Sequence, residues 1–353
     1  MTPLTCLNLN KTKDFRTLSE LWYKNDNKEI FWNPEYIRLF SKENEDPICL
    51  VWKESEAIIA LPLIKKSIND LLIAQDTLKL FDVISPYGYG GPYYEGYPNW
   101  SIFWKEFIGW AKKEMIVSCF IRLDLFLSKI ATDGLNIKIK SKNIVRNLDI
   151  DERGLWYDYE HKVRKNVKRA ISEKVLIKID DCGSSIDKFI DIYYETMKRR
   201  NANEYYYFCQ DWFHKFINVL RGKYLIFNAF YRDEIISTEL VLVSNENIYS
   251  FLGGTKENYF RLRPNDLLKH EIILWGIRQK KKRYILGGGY YGEDGIYNYK
   301  KSFAPNGVTD YKVAEIIIDN IMYKRLIEIR EKEEYTKGRN WKPREDYFPA
   351  YRS

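Results

Sequence analysis

The chain has 353 residues, 45% hydrophobic and 30% charged, with a formal net charge of +8. Such a length exceeds one ordinary core and predicts two domains of roughly 150 residues, with the composition of a globular protein and not of a disordered or fibrous one. No apolar run approaches the ~20 residues of a bilayer span. The opening MTPLTCLNLNKTKDF lacks the apolar core of a secretory signal, and the five scattered cysteines fit neither a disulfide framework nor a zinc site. A cytoplasmic protein without a transmembrane segment is expected, with Cys49 and Cys119 as core thiols. The positive excess suits a polyanionic partner and equally a plain lysine-rich surface.

In chain order, ICLVWKESEAIIALPLIKK reads as strand, turn and strand, with the turn at Glu54–Glu56. A third strand, LKLFDVI, runs into SPYGYGGP. A helix opens at Pro98 with Asn99 as N-cap and Phe103, Phe107 and Trp110 on its apolar face. The strand CFIRLDLFL follows from Cys119. A basic helix is predicted from Tyr157 to Val175, with Val163, Val167, Ala170, Ile171 and Val175 on the apolar side. VLIKIDD is a strand, and two helices flank YYETMKRRNANEYYYF. The first half's order then returns. YLIFNAFYRDEIISTELVLVS is strand, turn and strand, turning at Arg232–Glu234. NIYSFLGG is a strand ending at Gly253-Gly254-Thr255. A helix opens at Pro264 with Asn265 as N-cap and Leu267, Ile272 and Trp275 on one face, and RYILGGG is a strand. The chain reads as a tandem duplication of one α/β unit. Domains are expected over 1–150 and 151–335, with an extended tail over 336–353.

The doubled strand–strand–strand–helix–strand order resembles the GNAT acyltransferase fold in tandem, an α/β class with mixed sheets. SPYGYGGP, HKVRKNVKRAISEKV, YYETMKRRNANEYYY, FLGGTKENYFRLRPNDLL and GEDGIYNYKKSF, in that order over roughly residues 30–320, resemble the FemAB family. The family's better-known members move amino acids from aminoacyl-tRNA onto peptidoglycan precursors. This chain lacks room for their long helical arm and is similar to the armless branch.

What the resemblance implies at the residue level is specific. Tyr299 and Lys300 open a [FY]-K-x-x-F pattern closed by Phe303, and Lys300 would stabilise the oxyanion of acyl transfer; a surface lysine on a short helix is the plainer alternative. Asp294 or Glu293 would serve as base. Arg199, Tyr206 and Tyr207 would contact the acceptor, or else cap the core. Arg164 and Lys168 on the basic helix would face phosphate, or else solvent. Tyr87, Tyr89, Gly90 and Gly91 at one strand end, and Tyr249 and Gly253 at its counterpart, would line the substrate cleft, or else simply make tight strand-to-helix turns.

Gly287, Gly289 and Gly292 satisfy G-x-G-x-x-G, but an acidic turn follows where a dinucleotide site needs a helix, and the nicotinamide assignment is rejected. The helix opening FRLRPNDLL offers Pro264 and Asp266 where a coenzyme A pyrophosphate needs bare N–H groups; Arg261 and Arg263 would partly compensate. His161, His214 and His270 lie on separate helices without carboxylates at revealing spacing, and no metal-ligand spacing occurs.

An aminoacyltransferase is therefore expected, with no cofactor, an aminoacyl-tRNA donor and a nucleotide- or lipid-linked amine acceptor. A lipid-linked acceptor would bring it peripherally to a membrane. The alternatives are a transferase using a coenzyme A thioester to acylate an amino sugar in surface-polysaccharide or lipid synthesis, and a degenerate, non-catalytic binder of nucleic acid or a protein partner.

Overall fold

A computed structural model describes residues 4–68, 79–290 and 292–353. In chain order the regular elements are β1 (Leu4–Asn8), α1 (Thr12–Lys24), α2 (Pro34–Leu39), β2 (Glu45–Glu54), β3 (Ala57–Ser67), β4 (Phe81–Ile84), β5 (Tyr93–Glu95), α3 (Trp100–Lys113), β6 (Ile116–Arg122) and β7 (Ile137–Asn147). There follow α4 (Glu152–Asp158), α5 (His161–Ser172), β8 (Leu176–Asp180), α6 (Ile186–Arg199), α7 (Gln210–Val219), β9 (Tyr224–Tyr231), β10 (Glu234–Val243), β11 (Asn247–Thr255), α8 (Pro264–Arg278), β12 (Arg283–Gly287), α9 (Gly295–Lys301), β13 (Val308–Ile317) and α10 (Asn320–Thr336). No described helix is long and apolar enough to cross a membrane.

The chain folds into two compact units that interleave along the sequence. Residues 1–25, 31–140 and 311–353 make the first, and residues 26–30 and 141–310 the second. The sequence suggested divisions after residues 150 and 335. Residues 311–353 belong with the first unit because β13 pairs antiparallel with β6, Val313 opposite Arg122. Residues 26–30 belong with the second because Glu29 is buried against β11. Asn247 Nδ2 donates to its Oε1 and Tyr249 Oη to its Oε2.

The duplication is visible strand by strand. In the first unit β2 and β3 form an antiparallel hairpin, β4 runs antiparallel to β3, and β6 lies parallel to β4 after the crossover through α3. In the second unit β9 and β10 form the hairpin, β11 runs antiparallel to β10, and β12 lies parallel to β11 after α8. The hairpin turns fall where expected. Ser55 takes φ 51°, and Arg232 and Asp233 take 49° and 66°, the left-handed backbone that matches hairpin twist.

Apolar alternation builds each core. Leu50, Trp52, Ile59 and Leu61 pack with Phe103 and Phe107 of α3 in the first unit. In the second, Val163 and Val167 of α5 and Leu268 and Ile272 of α8 cover one face of the sheet. Phe189, Tyr193, Phe213 and Phe216 of α6 and α7 are buried on the side reached by Phe251. Cys49 and Cys119 are core thiols, both fully buried.

Three sequence expectations are corrected. The basic helix breaks at Tyr159-Glu160 into α4 and α5, because the buried Tyr159 ring packs on Phe303 and the Arg164 guanidinium binds the carbonyls that end α4. Ile171, expected on the apolar face, is 56% exposed. Asn265 is not the N-cap of α8. The helix begins at Pro264 as expected, with Arg263 as N-cap at φ 58°. The final residues are also anchored. Tyr351 is buried with its hydroxyl 2.8 Å from Ser118 Oγ, and Arg352 pairs with the buried Asp82.

Candidate active site

Parallel strands β11 and β12 pair over only three residues, Asn247–Tyr249 against Arg283–Ile285. Beyond Tyr249 and Ile285 no ladder joins them. Strands that part in this way leave a wedge whose walls are backbone and whose depth reaches the helix packed behind. Local sequence causes the parting. Phe251 is an extra residue between the Leu240–Leu252 and Val241–Ser250 pairs, a bulge that bends its strand. Gly287 takes φ 77°, which a side chain would resist.

Lys300 sits at this opening. The loop after β12 leads to α9, whose N-cap Asp294 accepts from Ile296 N and Tyr297 N at 2.9 Å. Six residues on, Lys300 reaches back and donates to Gly288 O at 2.7 Å. A Cβ placed on Gly287 would lie 3.4 Å from Lys300 Nζ. The residue keeps some exposed surface, but its ammonium end is enclosed by protein. Burial first, then the nearby Lys269 cation, pushes its pKa down to about 7. Tyr299 is turned the other way. Its hydroxyl accepts from Asn265 Nδ2 at 2.9 Å and its ring packs on Phe303, so it anchors α9. Asp294 spends both oxygens on backbone N–H groups, Tyr290 N taking the second at 2.8 Å. That use is capping. Glu293 pairs with Lys142 at 3.0 Å.

A buried charged cluster that the sequence did not reveal joins α8 to the sheet. Lys269 Nζ, on α8, donates to both oxygens of Glu239 on β10 at 2.6 and 2.7 Å and to Ser250 Oγ on β11 at 2.8 Å. Tyr284 on β12 donates to Glu239 as well. The two charged side chains are 6% and 4% exposed. The available signal was a charge inside apolar runs, STELVLV and DLLKHEII.

Of the residues expected around the acceptor, several gather near the strand ends. Gly254 packs so closely on α6 that a Cβ would meet Thr196 Oγ1 at 2.5 Å and Ile192 O at 2.7 Å. Thr255 N donates to Thr196 Oγ1. Arg199, one turn later, lies over the Phe260 ring at 4.8 Å, and its buried Nη1 makes no hydrogen bond but lies 3.8 Å from Glu195 Oε1. Tyr206 meets Tyr290, just past the glycines of β12, at 5.8 Å, while Tyr207 is exposed and stacks with Tyr194. Gly253 lies against β10, where a Cβ would meet Thr238 O at 2.7 Å.

Other expected residues are committed elsewhere. Tyr249 is buried with its hydroxyl on Glu29. Arg164 binds the carbonyls of Trp156, Tyr157 and Tyr159, so its charge serves the C-terminus of α4. Lys168 lies 5.9 Å from the Trp156 ring and is exposed. Tyr87, Tyr89, Gly90 and Gly91 belong to the first unit, where phenols latch the loop. Tyr36 donates to Tyr87 O at 2.9 Å, Tyr311 to Gly88 O at 3.1 Å and Tyr93 to Tyr89 O at 2.7 Å. Gly90 N donates to Arg122 O. His270 is bound to Tyr159 at 3.1 Å, and His214 does meet a carboxylate, Asp187 at 3.4 Å, but at the exposed surface between α6 and α7. A groove of about 920 Å³ lies at the entry of β12, lined by Asp149, Asp151, Lys280, Lys282 and Arg283 among others, away from Lys300.

The comparisons with known proteins bear on this second unit first. Residues 158–301 match the family model described as an acetyltransferase (GNAT) domain. The second unit carries a match to the GNAT acetyltransferase family. No curated protein sequence matches it. Among solved structures it is similar to FemX, with 12% identity and a TM-score of 0.68 over 88% of this chain and 98% of that one. It is also similar to the C-terminal domain of a putative lysylphosphatidylglycerol synthetase from Agrobacterium fabrum, with 12% identity and a TM-score of 0.55 over 88% and 92%. A third similar structure is L-PGS from Bacillus licheniformis, with 11% identity and a TM-score of 0.53 over 91% and 96%. At these identities the likeness is one of fold, and it agrees with the doubled, FemAB-like GNAT architecture read from the sequence.

A GNAT fold implies a coenzyme A thioester whose pyrophosphate meets bare N–H groups at a helix N-terminus. The residues at the start of α8 do not fit that group. Pro264 has no N–H, and Asp266 N and Leu267 N both donate to Arg263 O, at 3.2 and 3.5 Å. The Asp266 carboxylate, buried and held by Asn166 Nδ2 at 3.1 Å, occupies the first turn. The exposed Arg261 and Arg263 add charge there but no bare amides.

Proposed function

We propose that this transferase moves an aminoacyl group from the ester of an aminoacyl-tRNA to a primary amine on a nucleotide- or lipid-linked acceptor of the peptidoglycan-precursor kind. The observation that carries the proposal is the pairing of a lysine at the parting of β11 and β12 with a helix N-terminus unsuited to pyrophosphate. An aminoacyl ester needs no pyrophosphate grip, because its donor is held through nucleic acid. The fold likeness to the domain of a putative lysylphosphatidylglycerol synthetase is consistent with a lipid-linked acceptor.

In this scheme the acceptor nitrogen attacks the ester carbonyl, a C–N bond forms, and the carbonyl oxygen gains charge. Lys300, steadied by Gly288 O, donates an N–H to that oxygen. One such donor is worth roughly 10²–10³ in turnover. The C–O bond then breaks and the ribose hydroxyl leaves. Aminolysis of an ester is downhill, so orientation and charge stabilisation suffice. Arg199, whose Nη1 makes no hydrogen bond and only a 3.8 Å ion pair with Glu195, would bind an acceptor phosphate or carboxylate, and Tyr206 would flank it. The exposed basic side chains of α5 would follow the tRNA backbone.

The test is a transfer assay with two donors, alanyl-tRNA and acetyl-coenzyme A, against UDP-linked muramyl pentapeptide and glucosamine. Acceptor-dependent consumption of alanyl-tRNA supports the proposal. Turnover with acetyl-coenzyme A and not with alanyl-tRNA would replace it with the amino-sugar acyltransferase, which the description of the matched domain favours.

A further inference from the structure

Lys300 works from a short helix. α9 has seven residues, too few to hold a helix in water unaided, so the direction of its side chains is set by what fastens its ends. Asp294 caps the start. The far end closes with Phe303 N donating to Lys300 O at 3.1 Å and Ala304 N to Lys301 O at 2.9 Å. That closing turn is fastened from outside. Arg146 on β7, 7% exposed, donates through Nη1 to Phe303 O at 3.0 Å. The same nitrogen pairs with Asp158 at the end of α4, and Arg146 Nε donates to Asn147 O at 3.1 Å. Glu160 N, at the break between α4 and α5, donates to Ser302 O at 3.1 Å.

The same stretch of β7 braces the carbonyl that Lys300 meets. Gly287 stands opposite Ile144 in the ladder. A Cβ on Gly288 would lie 2.7 Å from Lys142 O and 2.9 Å from Asn143 Oδ1. Residues 142–146 of one strand therefore hold both partners of the bond from Lys300 Nζ to Gly288 O. They hold the carbonyl by direct packing and the helix through Arg146. A buried ion pair is weak evidence for stability, because apolar residues of similar volume serve as well. What apolar residues cannot do is grip a backbone carbonyl in a fixed direction. A guanidinium aimed by a carboxylate can, and the compact ammonium of lysine lacks its rigid fork.

We propose that Arg146, aimed by Asp158, is a positioning residue for acyl transfer. It fixes the exit of α9 so that the Lys300 amine is presented where β11 and β12 part. Arg146 acts only through Lys300. Its effect on transfer rests on the role given to Lys300 above; its hold on α9 does not.

Arg146→Lys keeps the charge and removes the fork. The first measurement, hydrogen–deuterium exchange, needs no substrate. Peptides covering residues 299–304 should exchange about tenfold faster in the variant, with those from α8 and β12 unchanged. Transfer is then measured with alanyl-tRNA and UDP-linked muramyl pentapeptide, and with acetyl-coenzyme A and glucosamine. With the pair that turns over, kcat should fall about 10–100-fold, as a slight misplacement of the reacting groups costs, while the acceptor KM stays within about twofold. Added to Lys300→Met, Arg146→Lys should slow transfer no further, because both changes remove one contribution. Asp158→Ala reaches the same guanidinium from a side chain 29% exposed; it should show smaller effects of the same kind, and it decides the matter if Arg146→Lys does not fold. Unchanged exchange over 299–304, exchange that quickens throughout the second unit, or a double variant slower than Lys300→Met would overturn the inference. Faster exchange over 299–304 together with a fully active Lys300→Met would overturn the role given to Lys300, and the positioning role with it, while the anchoring of α9 by Arg146 would stand.

Discussion

Arg352→Ala tests how the C-terminal residues hold the first unit. Asp82 is 3% exposed on β4. Arg352 pairs with it through Nε and donates through Nη2 to Ser67 O at 2.7 Å. Tyr351 Oη lies 3.2 Å from the same carboxylate. Removing Arg352 leaves Asp82 buried with one neutral donor. Breaking such a pair from one side costs about 3–5 kcal/mol; Arg352 is 19% exposed, so water recovers part, and about 2–4 kcal/mol is expected. For a unit of this size that is a fall of roughly 5–15 °C in its melting transition. The pH dependence has a definite sign. Burial already raises the Asp82 pKa despite Arg352, and the variant raises it further. A carboxyl whose folded pKa exceeds its unfolded value binds protons more readily when folded, so its cost appears as pH rises and fades as pH falls. The deficit of Arg352→Ala should therefore be smaller at pH 5 than at pH 7.5, and Asp82→Asn in the same chain should recover much of it. Differential scanning calorimetry at both pH values compares the wild type with both variants. A deficit below about 1 kcal/mol, or one that Asp82→Asn deepens, would refute the account.

Lys300→Met should lower transfer by about 10²–10³-fold with little change in melting temperature, while Lys301→Met retains near-normal turnover in the same assay. If Lys300 acts as a neutral amine, the rate rises with pH through about 7, whereas a lysine that must be protonated to act gives a rate that falls there. Lys165→Glu with Arg169→Glu, both on the exposed side of α5, should weaken tRNA binding and flatten its salt dependence by about one per lost phosphate contact, as read from filter binding at graded salt; an unchanged slope returns α5 to a solvated surface. His270 is held near pKa 4 by burial, and then by Arg278 opposing Glu152. The unfolded histidine takes up protons first, so stability should drop as pH falls from about 6.5 to 4. His270→Gln should flatten that limb by about 1–2 kcal/mol, measured by urea unfolding at pH 7 and 4.5.

Periodicity and turn chemistry exposed the architecture in the bare sequence. Two hairpins with short turns, each followed by a glycine-ended strand, a helix and another strand, specify a repeated unit, because turn chemistry and apolar alternation are local properties that neighbouring residues determine. The same locality made Lys300 visible, since its aromatic neighbours and the acidic turn before it lie within a few positions. What local pattern could not convey was which polar atom is already engaged. Tyr249 looked available and is bound to Glu29; Asp294 looked like a base and is a helix cap; the Tyr87–Gly91 loop looked open and has its carbonyls latched by phenols from three separate segments. Lys269 and Glu239 were hidden for the converse reason. Thirty residues apart and each inside an apolar run, they become a pair only when α8 folds over β10. A charge in an apolar stretch is an expense whose justification lies in the partner, and sheet pairing and helix packing, which close long loops of chain, choose that partner.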